Sequence, residues 1–334
     1  MKHKIDIFCD LEFWRSFMDS CAINYSFSAL NNNWKEIESK NYLYAHLIDY
    51  ICIHLKCSEK ELYEELEREA KSYDEPMRLL EKKLIEKDGG NLDILDCSFD
   101  YYNGDFPSIG PNAVYFTNDL RTRSIIESKG ILVVSLNEIL SSQYCLGTPI
   151  LISKRQWTDW NTILKQARHI CNSLIICDSY VLKNLEKNLY PILDTLIPDC
   201  IDEVFKLTII TSEDSNCRMG EQLQRSHDEI NKHLQQSKKS TRIELSIVRA
   251  DKSQQHDRRI LSNNAFIECP GGFDLLDRTG KSTKQTTIWY SFPRFANPRD
   301  LDTFFDVIET ARRITESNLV IPENGGARTN RLFD

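Results

Sequence analysis

An α/β fold in two units is the reading this sequence supports: an open, mostly parallel sheet in the first half and a second α/β unit behind it. The length of 334 residues favours two domains over one. Short apolar runs of strand composition alternate with helical periodicity along most of the chain. Over residues 113–135 the order is strand, helix, strand, a crossover whose two strands lie parallel.

The first element is a short buried strand from Ile5 to Cys9, ending at Asp10. Helical patterns follow from Phe13 to Asp19 and from Tyr42 to His54. Residues 59–87 carry an apolar stripe of Leu62, Leu66, Leu80 and Leu84, with the charged residues on the solvated side. Pro76 breaks or kinks that segment, and Gly89-Gly90 stop it. Ala113 to Phe116 is a strand, Thr117-Asn118-Asp119 a turn, Leu120 to Lys129 a helix ended by Gly130, and Ile131 to Ser135 a strand. A boundary falls near Gly147-Thr148-Pro149, which gives units at 1–148 and 149–320.

The second unit opens with a helix from Trp157 to Cys171, a strand from Leu174 to Cys177 and a helix from Lys183 to Leu196. A strand from Leu207 to Thr211, a polar helix from Gly220 to Gln236 and a strand from Ile243 to Arg249 continue the alternation. Arg259-Ile260-Leu261 and Phe266-Ile267-Glu268 then flank Asn263-Asn264. Asparagine tolerates positive φ, so the pair suits a tight hairpin turn. Trp289 and Tyr290 lie in a last strand, Leu301 to Ser317 is a closing amphipathic helix, and residues 321–334 read as a flexible tail.

Composition narrows the function. A formal net charge of −8 excludes a protein that coats nucleic acid by bulk charge, while leaving room for a local basic groove. The eleven cysteines are scattered, with no CxxC spacing and no histidine cluster beside them, which predicts free thiols in a reducing compartment. No run is long and apolar enough to span a bilayer, and the start of the chain has no signal-peptide pattern, so a cytoplasmic location is expected. The GKST at 280–283 lacks the upstream glycine of a phosphate-binding loop and reads as an ordinary turn.

Two places carry chemistry. His256 and Arg258 are two apart and emerge on one face of an extended segment, where a histidine beside a guanidinium forms an anion clamp or supplies a nucleophile or general base. Asp10 and Asp119 each follow a strand, and the carboxyl edge of an open parallel sheet is where ligands bind. Two carboxylates meeting there hold a divalent cation through oxygen. An Asp in that position is also the ordinary N-cap of the next helix.

The hairpin region resembles the phospholipase D-like superfamily. His256-x-Arg258, Asn263 five residues later and Gly271-Gly272 are similar to the His-x-Lys, Asp and Gly-Ser positions of its signature. His256-Asp257-Arg258 followed by Gly271-Gly272-Phe273-Asp274 is closer to a divergent branch, the C-terminal domain behind microtubule-interacting-and-trafficking modules. The resemblance spans roughly residues 150–317. It implies a site of His256, Arg258, Arg259 and Asn263 that binds an anionic ligand or a protein partner. In active members two such motifs combine, in tandem or across a dimer, and histidine attacks phosphorus without a metal. Here Arg258 stands for Lys, Asn263 for Asp, and one motif is present.

The first half resembles PIN-like ribonuclease domains over residues 3–15 and 112–140. There the first strand ends in Asp10, a later one in Thr117-Asn118-Asp119, and SIIESKGILVVSLNEI supplies a helix and strand of the same type. That resemblance implies Mg²⁺ or Mn²⁺ held by Asp10 and Asp119, with further acids completing the site and RNA or another single-stranded nucleic acid as substrate. Glu36 or Glu38 is the candidate second acid and Asp93 or Asp96 the third, with Glu12 a further candidate; spacing does not choose among them. Asp10, Glu38, Asp96 and Asp119 form the working catalytic set. Joining a nuclease to a sensor-like module suits a bacterial stress or phage-defence effector, by analogy of folds. The rivals are a dimeric, metal-independent phosphodiesterase using His256 and a partner-docking scaffold without chemistry.

Overall fold

A computed structural model describes residues 6–9, 13, 16–17, 57–58, 60–62, 64, 113–140, 148–212, 219–251, 258–292, 298–322 and 329–333. The helix predicted at 42–54 and residues 65–87 of the segment predicted at 59–87 lie outside them. So do Asp10, Glu12, Glu36, Glu38, Asp93, Asp96, His256 and Asp257.

The first half contributes a three-stranded sheet. Strands β1 (Asp6–Cys9), β2 (Ala113–Phe116) and β3 (Leu132–Val134) lie in the order β1-β2-β3, all parallel. Helix α1 (Leu120–Glu127) makes the crossover between β2 and β3, and α2 (Leu136–Leu140) follows β3. Val114, Phe116, Leu132 and Val134 are fully or almost fully buried, and the Phe13 ring packs 5.3 Å from Phe116. Gly130 ends the α1 turn at φ +76°, a conformation that costs a residue with a Cβ.

The second half builds one eight-stranded mixed sheet. Its strands are β4 (Ile150–Ile152), β5 (Ser173–Cys177), β6 (Cys200–Ser212), β7 (Ser240–Ala250), β8 (Arg259–Ser262), β9 (Phe266–Glu268), β10 (Thr286–Ser291) and β11 (Leu319–Ile321). The spatial order is β11-β7-β6-β5-β8-β9-β10-β4. β5, β6 and β7 are parallel, and every other pairing is antiparallel.

Side chains alternate across this sheet, as strand geometry requires. Leu174, Ile176, Leu207, Ile209, Ile247 and Ile260 face one core. It also takes Trp160 and Ile163 of α3 (Trp160–Leu164), Ile192 and Leu193 of α4 (Tyr190–Leu196), and Ile230 and Leu234 of α5 (Met219–Ser237). Ile175, Cys177, Ile210, Val248 and Leu261 face the other core, under α6 (Pro298–Ser317). Phe304, Phe305, Ile308, Ala311 and Ile314 form the buried stripe of α6 at helical spacing. Each large side chain so buried contributes roughly 1.5–3 kcal/mol before entropy is counted.

Several expectations need correction. The helix expected from Trp157 to Cys171 is only Trp160–Leu164 with a 3₁₀ turn behind it. Asp159 caps it through Thr162 N at 2.8 Å, while Trp157 is exposed and bridges to Lys281. The helix expected from Lys183 to Leu196 is a 3₁₀ turn, a π turn over Leu185–Leu189 and α4. Pro191 explains the break, since it has no N–H to give to the preceding turn.

The hairpin turn uses no positive φ at Asn263 or Asn264. Ser262 N donates to Ala265 O at 2.8 Å, and Ser262 Oγ accepts from the amide of Ala265 at 3.0 Å. The expected flexible tail is anchored at both of its described pieces. Ile321 lies in β11 on β7, and Asn330 is fully buried, with Nδ2 donating to Thr208 Oγ1 at 3.0 Å.

The two sheets meet where α1 ends. Asp202 N donates to Ser128 O at 2.7 Å, Ser128 Oγ donates to Asp202 Oδ2 at 2.6 Å, and Asn172 Nδ2 donates to Lys129 O at 3.2 Å. Cys57, Cys171, Cys177, Cys200 and Cys269 are free, and three of these five are buried. Among the described residues no helix is long and apolar enough to cross a membrane.

Candidate functional site

The small sheet has one carboxyl edge. β1 and β2 run parallel, with Cys9 beside Phe116, so both strands end at the same rim. Thr117, Asn118 and Asp119 follow β2 there. Asp119 is exposed, and its backbone N–H donates to Thr117 Oγ1 at 2.9 Å. Its Oδ2 accepts from Thr122 N at 2.7 Å, so Asp119 is the N-cap of α1. Hydrogen bonds from the Thr122 hydroxyl and amide hold this carboxyl below its ordinary range. Asn118 Oδ1 accepts from Leu136 N at 3.0 Å, tying the same loop to the start of α2.

Behind that loop Arg123 grips Glu138 through two bonds, of 2.9 and 3.1 Å, and Glu127 through a third of 2.8 Å. Glu138 also accepts from the amide and hydroxyl of Ser135. These charges are consumed in fixing α1 against α2. Among the described residues no group of three or more His, Cys, Asp or Glu side chains is placed to hold a metal ion. Asp10, Glu38 and Asp96 lie outside those residues, so Asp119 is the described member of the predicted acid set. Its exposed carboxylate has the hard oxygen chemistry that Mg²⁺ or Mn²⁺ requires.

The second candidate lies where β5 changes neighbours, parallel β6 on one side and antiparallel β8 on the other. Cys177 pairs with Arg259, so Asp178 leaves the end of β5 close to where Arg258 enters β8. The turn at Gly271-Gly272 closes over both. A Cβ on Gly272, which has φ +85°, would lie 3.0 Å from each of Arg258 Cδ, Asp178 Oδ2 and Asp274 Oδ1. Glycine is required there, and three charged side chains converge on it.

Asp178 is fully buried. Its Oδ1 accepts from Tyr180 N at 2.5 Å and its Oδ2 from Phe273 N at 2.7 Å. Burial nevertheless raises its pKa above the ordinary value. Asp274 is paired with Lys284 at 2.9 Å. Arg258 Nη1 donates to Pro270 O, and its guanidinium stands 6.0 Å from the centre of the Tyr180 ring.

The predicted ligand set is divided by this geometry. Arg258 and Arg259 are neighbours in extended chain and point to opposite faces. Arg259 lies on the α6 side, where it bonds Glu268 at 3.1 Å and stands over the Phe266 ring. Asn263 follows the far end of β8, about 16 Å of extended chain from Arg258 at roughly 3.3 Å per residue. It is buried, and Oδ1 accepts from Asn172 N and Ser173 N, both at 3.0 Å, while Nδ2 donates to Asn172 Oδ1 at 3.0 Å. Asn263 therefore latches the hairpin to the start of β5 and does not share a site with Arg258.

Sequence reasoning missed Asp178, although an Asp directly after an apolar strand was the signal used for Asp10 and Asp119. No protein-family model matches the chain, and no curated protein matches it.

Proposed function

We propose that the first unit is a metal-dependent nuclease acting on RNA or single-stranded nucleic acid, and that the second binds an anionic ligand or partner at the Arg258 corner. The observation that carries the proposal is the parallel pairing of β1 with β2. It sets the carboxyl ends of both strands, Cys9 and Phe116, at one edge, where Asp119 caps α1. In this reading Asp10 and Asp119 hold Mg²⁺ or Mn²⁺, with Glu38 and Asp96 as the further acids. The ion supplies screening of phosphate charge and activation of water. Asp119 holds its place by capping α1, and the Thr117 hydroxyl fixes the loop that carries it.

The test is cleavage of a labelled single-stranded RNA. Activity that needs Mg²⁺ or Mn²⁺, vanishes with EDTA and is lost in Asp10→Asn and Asp119→Asn, with folding intact, supports the assignment. Cleavage indifferent to both substitutions removes it.

A second reading has its own observation, the buried carboxylate of Asp178 beside Arg258 under Gly272. In that reading the second unit is a dimeric phosphodiesterase using His256. It keeps its activity in EDTA and loses it in His256→Ala.

A further inference from the structure

The faces of α5 divide the helix into two roles. Leu223, Ile230 and Leu234 are buried against the sheet. Beside them, Gln222, Arg225, Ser226, Glu229, Lys232, His233 and Gln236 form one continuous polar stripe at i, i+3, i+4 and i+7 spacing. That stripe is one wall of an open groove of about 1080 Å³, and residues 182–186 with Tyr190 form the other. The volume is at or above the top of the range of about 300–1,000 Å³ usual for small-molecule clefts.

The groove carries three cationic side chains, Lys183, Arg225 and Lys232, against two carboxylates, in a chain whose net charge is negative. Arg225 and Lys232 are exposed, with no ion-pair partner among the described residues, and they lie on the same side of α5. Lys183 stands on the opposite wall, 4.0 Å above the Tyr180 ring. Arg258 stands 6.0 Å from the centre of the same Tyr180 ring. Tyr190 and His233 stack face to face within it, with centroids 3.9 Å apart and planes within 3°. His233 Nε2 lies 2.9 Å from Asp194 Oδ1, which fixes the imidazole. Glu186 and Glu229 also line the groove.

We infer that this groove is a binding track for single-stranded nucleic acid, with Arg225, Lys232 and Lys183 on the phosphates and the Tyr190–His233 stack as its aromatic wall. Cations spaced along a channel with interleaved aromatic rings are what such strands bind. The two glutamates suit this occupant better than a free phosphate. A carboxylate repels a lone anion, but it accepts hydrogen bonds from exocyclic amino groups of exposed bases. The inference rests on the nuclease reading for its biological sense, as the element that holds the strand. Its test is independent of cleavage.

The experiment is fluorescence anisotropy of the full chain with a labelled twelve-nucleotide oligocytidylate, whose bases carry an exocyclic amino group, in EDTA across a range of salt. The double variant Arg225→Glu/Lys232→Glu is expected to bind at least about ten-fold more weakly. Its salt slope should fall by about 1.4, at roughly 0.7 per phosphate contact on a single strand. Lys154→Glu/Lys165→Glu makes the same change in net charge on exposed residues elsewhere and is expected to bind as the parent does. Equal losses in both double variants, no loss in the first, or binding to phosphatidylserine vesicles without binding to the oligonucleotide would each overturn the track. Binding without cleavage in Mg²⁺ sinks the nuclease reading and leaves the track standing.

Discussion

Replacing Asn263 separates its two possible roles. In Asn263→Ala the buried amides of Asn172 and Ser173 lose their shared acceptor, and the Asn172 side-chain oxygen loses a donor. A buried donor left unpaired costs about 1–3 kcal/mol, so two of them come to roughly 2–6 kcal/mol before the lost bond is counted. That is a large share of the 5–15 kcal/mol that typically holds a domain together. Asn263→Asp keeps an acceptor for both amides but sets a carboxylate against Asn172 Oδ1 in a site 3% exposed, so an intermediate loss is expected. The assay is urea denaturation followed by tryptophan fluorescence, with anion binding measured on the folded fraction. The latch predicts a lower midpoint at unchanged slope and unchanged binding per folded molecule. A loss below about 1 kcal/mol in Asn263→Ala, or a stable variant that has lost anion binding, would refute the latch and return Asn263 to the ligand site.

Other outcomes follow from the same contacts. Gly130→Ala should destabilise by more than the ordinary cost of about 1 kcal/mol for a left-handed residue, since its Cβ would stand 2.5 Å from Asn172 Cβ; thermal unfolding reads this directly. Burial pushes the half-buried His169, edge-on to Phe292, down to about 4 from an unfolded value of 6.5. The unfolded chain therefore takes up the proton first. About 3 kcal/mol of stability present above pH 6.5 is lost as pH falls toward 4, and unfolding of His169→Gln followed against pH should lack that component. Asn330→Ala removes the donor to Thr208 Oγ1 from a fully buried position and should cost roughly 1–2 kcal/mol. A value near zero in chemical denaturation would mean that the docked segment adds nothing to the sheet.

Much of the framework was legible because strand and helix leave strong periodic marks. β2, α1 and β3, α5, β7 and the two arms of the hairpin stand within a few residues of where apolar spacing put them. The failures have local causes. Pro191 broke a segment whose apolar residues still fell at helical intervals, because periodicity does not register a missing N–H. Asn263-Asn264 carried the composition of a positive-φ turn, yet each asparagine spends its amide on a partner more than ninety residues away. Such partners leave no trace in nearby spacing. The tail looked loose from its polar composition, but Asn330 and Leu332 find places in the sheet's core.

The candidate site was legible in part and for the same reason. Asp119 was found by its place after a strand, and its cap bond by its place before a helix. Arg258 was found by the motif around it. Asp178 went unnoticed because its neighbour in space, Gly272, stands far along the chain. Only the register of β5 with β8 brings them together.

That same register shapes how the molecule is made. β6 and β7 are joined through α5, while β5 acquires β8 only after the chain has travelled from Cys177 to Arg259. Closing so long a span costs more entropy than closing a short one, though only logarithmically. The central strand is thus completed on one side early and on the other late. Until the hairpin arrives, β5 exposes a hydrogen-bonding margin open to any extended polypeptide, and the half-formed sheet is then most prone to intermolecular pairing.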